Sequence, residues 1–252
     1  MNILIIGTKK KLLPVYNYCK DNGHNVVCTR TDEHENNDWN LYENAIAGYF
    51  HLESEVYDKF IPDRIINFKE QPEFLTLERD LCAKFNLETF LTDELIEFFS
   101  TKDGQDKVFK SLNIPTVPND SETVLVKSEL SGGTNFEVMP RDKAVEQSNF
   151  FQDYLDIDYI VSCHFYSDGT KWYHLNNHIV VYEDNCPVES VTPIKLNIDD
   201  RTIIEDSIKK LSKKIKIENR LFGWQFLKDK KGNLYSIDFN LRPFGGFDMG
   251  SY

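Results

Sequence analysis

The chain has 252 residues, a formal net charge of −12, and 40% hydrophobic and 13% aromatic residues. This length and apolar content suit one large domain or two small ones with a sizeable core. The acidic charge argues against nucleic-acid binding through a basic surface. No apolar run approaches the ~18 residues that a membrane span needs, so no membrane partner is expected.

The five cysteines, Cys19, Cys28, Cys82, Cys163 and Cys186, are odd in number and scattered. No Cys-x-x-Cys pair occurs, and the spacing gives no indication of a zinc site. Reduced, mostly buried thiols in a cytoplasmic protein are the expected arrangement. The first seven residues lack a basic region and are too short for a signal peptide, so none is expected.

The first part of the chain alternates between strand and helix. Residues 2–6 form a continuous apolar run, which is typical of a buried parallel strand. The other predicted elements are a helix over residues 8–23, strands over residues 24–29 and 64–68, and an amphipathic helix over residues 75–85. The pattern predicts a small doubly wound parallel-sheet domain over residues 1–93.

A helix with an extended exit is predicted over residues 101–118. Val108, Phe109 and Leu112 share one face of the helical part. Lys102 lies near the helix start, where a cation is unfavourable for the helix dipole. A functional role would explain this position, and chance is the alternative.

A lysine ends a short β-rich run over residues 122–127, and strand character resumes over residues 136–139. The loop between them contains Ser131-Gly132-Gly133. Glycines let backbone N–H groups approach an anion and Lys127 supplies charge, which indicates a phosphate site. An ordinary hairpin turn is the more frequent explanation of Ser-Gly-Gly. Neither a Walker loop nor a G-x-G-x-x-G motif occurs.

An acidic and apolar segment, residues 151–161, leads into a β run over residues 159–165. A plain strand and turn on the surface is the alternative to a binding role. Further on, residues 172–181 are predicted to form a strand, a turn and a strand. His174 and His178 lie four apart in that segment, and a metal role for them is not expected.

A hairpin is predicted near the C-terminal end, with strands over residues 222–227 and 234–242 and a polar loop over residues 228–233. Strict alternation places one set of side chains on one face of the second strand: Leu234, Ser236, Asp238, Asn240 and Arg242. The apolar residues between them suit a core. The carboxylate, amide and guanidinium indicate a metal–nucleotide site, to which Gln225 across the hairpin would add an oxygen ligand. An exposed edge strand is the alternative.

Taken in order, these segments resemble the ATP-grasp superfamily. That family has a lysine-bearing helix with an Ile-Pro exit, a strand lysine, a glycine-rich loop, an acidic hinge, and metal-binding strands that end in acid-x-Asn-x-Arg. The resemblance implies an α/β fold with an α+β ATP-grasp core over residues 94–252, preceded by the N-terminal domain. Its small lobe would span about residues 94–150 and its large lobe about residues 151–252.

The resemblance also implies a reaction and roles for individual residues. ATP, with Mg²⁺ or Mn²⁺, would convert a carboxylate into an acyl phosphate, which an amine or a thiol then attacks. The implied phosphate-binding residues are Lys102, Lys127, Ser131, Gly132 and Gly133. The implied adenosine-binding residues are Gln152, Asp153, Leu155 and Asp158. The implied metal ligands are Gln225, Asp238 and Asn240. Arg242 and Lys127 would be catalytic, with Arg242 stabilising the transferring phosphoryl group.

Two alternatives stay open beside the ligase. One is a non-catalytic or regulatory nucleotide-binding protein that keeps the ATP-grasp fold. The other is a doubly wound binding domain joined to an unrelated β-rich module. For the ligase, the expected partners are small-molecule carboxylate and amine substrates and a second copy of the chain in a homodimer.

Overall fold

The structure is a computed structural model that describes residues 1–7, 12–29, 45–46, 56–127, 136–147, 150–184, 186–191 and 195–242. The chain divides into two compact units, Met1–Ile96 and Glu97–Tyr252. Within the described residues, no helix has the length and hydropathy that a membrane crossing requires.

The first unit contains a four-stranded parallel sheet in the order β3-β2-β1-β4. Its elements are β1 (Asn2–Ile6), α1 (Leu13–Asp21), β2 (Asn25–Thr29), β3 (Ala45–Ile46), α2 (Val56–Lys59), β4 (Arg64–Asn67) and α3 (Pro72–Lys84). Ile3 and Ile5 pack with residues of α1, whereas Leu4 and Ile6 pack with residues of α3. Helices therefore cover both faces of the sheet, as the sequence predicted for a doubly wound unit.

Helix α4 (Asp93–Ser100) contains the boundary between the two units, and α5 (Lys102–Ser111) follows it in the second unit. A three-stranded antiparallel sheet follows in the order β6-β5-β7. Its elements are β5 (Thr123–Lys127), β6 (Phe136–Pro140), α6 (Arg141–Gln147) and β7 (Phe151–Asp153). Val124, Met139 and Ala144 form the small core between this sheet and α6.

The rest of the second unit is a five-stranded antiparallel sheet in the order β10-β9-β8-β11-β12. Its elements are β8 (Ile157–Ser167), β9 (Trp172–Glu183), β10 (Cys186–Val191), α7 (Ile198–Lys214), β11 (Arg220–Asp229) and β12 (Leu234–Asn240). The prediction of two strands over residues 172–181 is wrong. β9 runs without interruption because it pairs with β8 from Tyr159 to Ser167.

One face of the five-stranded sheet carries an aromatic core. The ring of Phe239 lies 5.3 to 6.0 Å, between centroids, from five other rings, those of Phe98, Phe99, Trp172, Phe222 and Trp224. Phe109 of α5 stacks on Trp224 at 5.4 Å. Burial of this much aromatic surface anchors α5 against β11 and β12. Gln225, Asp238 and Asn240 consequently lie on the opposite face.

Candidate active site

The hairpin of β11 and β12 places Gln225 directly opposite Asp238. The sequence predicted Gln225 across the hairpin from the face of Asp238 and Asn240, without this register. Gly223 lies opposite Asn240 in the same ladder. Gln225, Asp238 and Asn240 therefore share one face of the sheet at neighbouring positions. The glycine leaves that part of the face without a side chain.

A β-bulge in β12 corrects the predicted alternation. Pairing moves from Gln225–Asp238 to Phe226–Ser236, so that the bulge holds one residue more than the strand opposite. Ser236 consequently lies on the aromatic face, where it accepts a hydrogen bond from Trp224 Nε1 at 2.6 Å. The prediction that Leu234 and Ser236 share the face of Asp238 and Asn240 is wrong. The extra residue in the bulge moves each preceding residue of β12 to the opposite face of the sheet.

Lys102 and Asp238 form an ion pair in the centre of this site. The side chain of Lys102 is 12% exposed and that of Asp238 is 19% exposed. Thr101 caps helix α5 by accepting a hydrogen bond from Gly104 N at 3.0 Å, which fixes the turn that carries Lys102. The carboxylate of Asp238 offsets the unfavourable position of a cation at a helix start. The structure thus joins a residue predicted to bind phosphate to one predicted to bind metal.

Gln105 holds the backbone of β12 between the two predicted metal ligands. Its Nε2 donates to Phe239 O at 2.7 Å, and its Oε1 accepts from Phe239 N at 3.0 Å. The side chain is buried and acts as a strand partner for the edge of the sheet. The sequence reasoning missed this residue. Its position three residues after Lys102, on the same helix face, was the available signal.

The chain segment after α5 extends the same edge. Pro115 O accepts a hydrogen bond from Ser236 N at 2.7 Å, and Thr116 forms a parallel bridge with Ser236. The predicted Ile-Pro exit therefore covers the edge of β12, which would otherwise expose unpaired backbone groups.

The amide groups beside Asp238 have their nitrogens bound to protein acceptors. Asn240 Nδ2 donates to Asp238 Oδ2 at 2.9 Å, and Gln225 Nε2 donates to Ser162 Oγ at 2.9 Å. A cation at this position would meet one carboxylate and two amide oxygens. That set fits Mg²⁺ or Mn²⁺, which in nucleotide sites take few protein ligands and complete their shell with phosphate and water. Among the described residues, no group of three His, Cys, Asp or Glu could hold a metal by itself.

The predicted adenosine residues lie in the hinge between the two sheets of the second unit. Gln152 and Asp153 are buried at the end of β7, and Asp158 is exposed in β8. Asp153 Oδ1 accepts from Ser121 N at 2.8 Å, so this carboxylate fixes the preceding loop. Leu155 is half-buried between β7 and β8.

The turn between β11 and β12 contacts the hinge. Lys230 N donates to Asp156 O at 2.9 Å. Burial raises the pKa of Tyr235, and the carboxylates of Asp229 and Asp153 raise it further. Tyr235 lies opposite Leu227, on the sheet face of Gln225, although the predicted alternation assigned it to the core.

The remaining predicted site residues are described only in part. Lys127 ends β5, opposite Phe136. Its side chain and the whole of Ser131, Gly132 and Gly133 lie outside the described residues. Arg242 is half-buried two residues after β12.

Several solved structures match nearly the whole chain. The N5-carboxyaminoimidazole synthetase from Staphylococcus aureus is 16% identical, with a TM-score of 0.73 over 97% of this chain and 71% of that one. The L-amino acid ligase from Bacillus licheniformis is 14% identical, with a TM-score of 0.74 over 97% and 67%. The biotin carboxylase from Campylobacter jejuni is 18% identical, with a TM-score of 0.72 over 97% and 66%. The chain has the ATP-grasp fold.

The ATP-grasp fold confirms the fold class that the sequence resemblance implied. It also overturns the alternative of a doubly wound domain joined to an unrelated β-rich module, since a single solved structure matches 97% of the chain. Neither a protein-family model nor a curated protein sequence matches the chain. Identities of this size carry the fold and leave the activity to be argued from the residues of the site.

Proposed function

We propose that the chain is an ATP- and Mg²⁺-dependent ligase that activates a carboxylate for attack by an amine. The observation that carries this proposal is the cluster on one face of the ATP-grasp sheet. Gln225, Asp238 and Asn240 offer oxygen ligands there, and the ammonium group of Lys102 lies beside them, paired with Asp238. Among the similar structures, one is an L-amino acid ligase and others hold ADP, MgADP or an ATP analogue.

The proposal assigns residues 1–93 to an N-terminal domain and residues 94–252 to the ATP-grasp domain. The three-stranded sheet and its helices would form the small lobe, over about residues 94–150. The five-stranded sheet would form the large lobe, over residues 151–252. ATP would lie with its adenosine at the hinge and its phosphates toward Asp238, since the turn before β12 contacts the hinge through Lys230 N and Asp156 O.

In the first step, a carboxylate oxygen of the substrate attacks the γ-phosphorus of ATP. The bond from that phosphorus to the bridging oxygen of ADP breaks, and an acyl phosphate forms. Lys102 and Lys127 would bind phosphate oxygens, and Arg242 would stabilise the charge of the transferring group. Gln225, Asp238 and Asn240 would hold the metal ion, which neutralises charge on the phosphate oxygens when bound.

In the second step, the amine nitrogen attacks the acyl carbon. The bond between that carbon and the phosphate oxygen breaks, phosphate leaves, and the nitrogen loses a proton to give an amide. A thiol nucleophile would follow the same course to a thioester. The hinge residues Gln152, Asp153, Leu155 and Asp158 would bind adenosine throughout, and Ser131, Gly132 and Gly133 would cover the phosphates.

The proposal extends to location and assembly. Each of the five cysteines is free, and four of them are buried, which suits a reducing compartment such as the cytoplasm. A homodimer is the proposed assembly, and a dimer of a biotin carboxylase domain is among the similar structures.

A substrate screen tests the proposal. The full chain is incubated with ATP, Mg²⁺ and pools of amino acids and small carboxylates, and ADP is measured by a coupled assay. We expect ADP release that depends on one carboxylate and one amine and disappears in Asp238→Asn. ATP binding by calorimetry without ADP release in any pool would favour the non-catalytic nucleotide-binding protein instead.

A further inference from the structure

A hydrogen bond holds the Gln225 side chain on the side that faces away from Asp238. β11 lies between β8 and β12, so that Gln225 has Ser162 as its neighbour on one side and Asp238 on the other. Gln225 Nε2 donates to Ser162 Oγ at 2.9 Å. Ser162 is buried, with 3% of its surface exposed. The amide nitrogen of Gln225 is therefore directed at β8.

This hydrogen bond matters because a glutamine amide can turn over. Rotation by about 180° exchanges its oxygen and nitrogen with almost no change of shape. A hard cation binds the oxygen and is repelled by the NH₂ group. A serine hydroxyl can accept from the amide nitrogen or donate to the amide oxygen. In this structure Ser162 Oγ accepts from the nitrogen, which keeps Gln225 Oε1 away from β8, toward the side where Asp238 lies.

The surroundings of Ser162 support this orientation. His178 faces Ser162 from β9, and burial lowers the pKa of the His178 imidazole, which favours its neutral form. His178 Nε2 lies 3.1 Å from Ser190 Oγ. No charged side chain among the partners of Ser162 in the ladder therefore competes with Gln225 for its hydroxyl.

We propose that Ser162 is a positioning residue that orients the Gln225 amide for binding of the metal ion. This inference rests on the metal site of the proposed function. Ser162 touches neither the metal nor the substrate in this scheme and acts only through Gln225. Partners of this kind, which hold a ligand in its binding orientation, commonly change metal affinity by about 10- to 100-fold.

Mn²⁺ binding tests the inference without an activity measurement. Mn²⁺ is titrated into the full chain at a fixed ADP concentration, and free Mn²⁺ is read from its electron paramagnetic resonance signal. Three variants are compared with the wild type: Ser162→Ala, Ser162→Thr and Gln225→Ala. Ser207→Ala is the matched control, because Ser207 is equally buried and its hydroxyl donates to Ile203 O within α7, at 2.8 Å.

We expect Ser162→Ala to raise the Mn²⁺ dissociation constant about 10-fold, and Ser162→Thr, which keeps the hydroxyl, to raise it by less than about threefold. Ser207→Ala should match the wild type. The double variant Ser162→Ala/Gln225→Ala should bind Mn²⁺ as weakly as Gln225→Ala alone, because the two residues act as one unit.

Three results would overturn the inference. The first is an unchanged dissociation constant in Ser162→Ala, and the second is an equal loss in Ser207→Ala. The third is a further loss when Ser162→Ala is added to Gln225→Ala, which would mean that Ser162 acts by another route. Absence of Mn²⁺ binding in the wild type would overturn the metal site as well. ADP release in the substrate screen is measured separately, so the ligase proposal stands or falls on its own result.

Discussion

Lys102 and Asp238 lie 136 positions apart in the chain and form an ion pair in the candidate active site. In this ion pair, the Lys102 ammonium group takes the place of the metal ion that Asp238 would bind. The Asp238 carboxylate likewise takes the place of the phosphate that Lys102 would bind. Mg·ATP would satisfy both groups at once, since Mg²⁺ replaces the ammonium and phosphate replaces the carboxylate. Metal and nucleotide should therefore bind cooperatively.

Replacing Lys102 tests this exchange. Lys102→Met removes the competing cation, so Mn²⁺ should bind the nucleotide-free protein more tightly. An ion pair of about 1 kcal/mol corresponds to roughly a fivefold change. ATP should bind more weakly while adenosine is unaffected, because the lost contact is to phosphate. Calorimetry gives both sets of affinities.

Lys107→Met on the same helix is the control, since Lys107 pairs with Asp103 at an exposed position. An equal loss of affinity for ATP and adenosine in Lys102→Met would place Lys102 away from the phosphates.

Asp238→Asn keeps the shape of the side chain and removes its charge. Turnover should fall by orders of magnitude, because the neutral amide no longer attracts the metal and the lysine loses its partner. The free energy of unfolding should fall by about 1–3 kcal/mol, so the variant stays folded. Initial rates and urea unfolding provide the two measurements.

Asp206→Asn serves as the control for Asp238→Asn, because Asp206 pairs with Lys210 on an exposed surface of α7. Turnover like that of the wild type in a folded Asp238→Asn variant would remove Asp238 from the metal site.

Gln105→Ala should destabilise the protein more than most helix substitutions. It leaves both backbone groups of Phe239 without their partner in a buried position, and each such loss costs about 1–3 kcal/mol. The midpoint of urea unfolding measures the effect. Ser111→Ala, an exposed position on the same helix, should change stability by no more than about 0.5 kcal/mol. Equal midpoints for the two variants would show that Gln105 does not hold β12.

The sequence predicted the parts of the site that local pattern determines. The polar loop after Leu227 and the apolar alternation around it were sufficient to predict a hairpin with Gln225 across from the face of Asp238, and the structure pairs these two residues directly. A continuous apolar run likewise predicted β1. These features depend on residues close together in the chain, where side-chain periodicity reports the structure directly.

The parts that were missed depend on distant residues. The bulge between Ser236 and Asp238 appears only when β12 is paired with β11, and no turn or glycine marks it. The clamp from Gln105 to Phe239 spans 134 positions. A turn was predicted within residues 172–181, but pairing of β9 with β8 on one side and with β10 on the other keeps this segment in one strand.

The imidazole of His164 predicts a pH dependence of stability. It is fully buried, and burial lowers its pKa from 6.5 to about 4. Protonation therefore opposes folding. The stabilising contribution of the neutral ring is complete above pH 6.5 and is lost as the pH falls toward 4, by about 3 kcal/mol.

Urea unfolding at pH 7.5 and pH 4.5 measures this contribution. His164→Gln should lose less stability between the two pH values than the wild type, because the amide does not titrate. His174→Gln, at an exposed position, should behave like the wild type. An identical pH dependence in His164→Gln and the wild type would mean that the His164 pKa is the same in the folded and unfolded states.

Transfer of oxygen from substrate to phosphate tests the central claim most directly. The full chain is incubated with ATP, Mg²⁺, an amine pool and carboxylates labelled with ¹⁸O, and the released phosphate is analysed by mass spectrometry. If a carboxylate oxygen attacks the γ-phosphorus, each phosphate molecule should carry one ¹⁸O atom, in proportion to the ADP formed. Release of unlabelled phosphate would contradict an acyl phosphate and indicate hydrolysis of ATP by water.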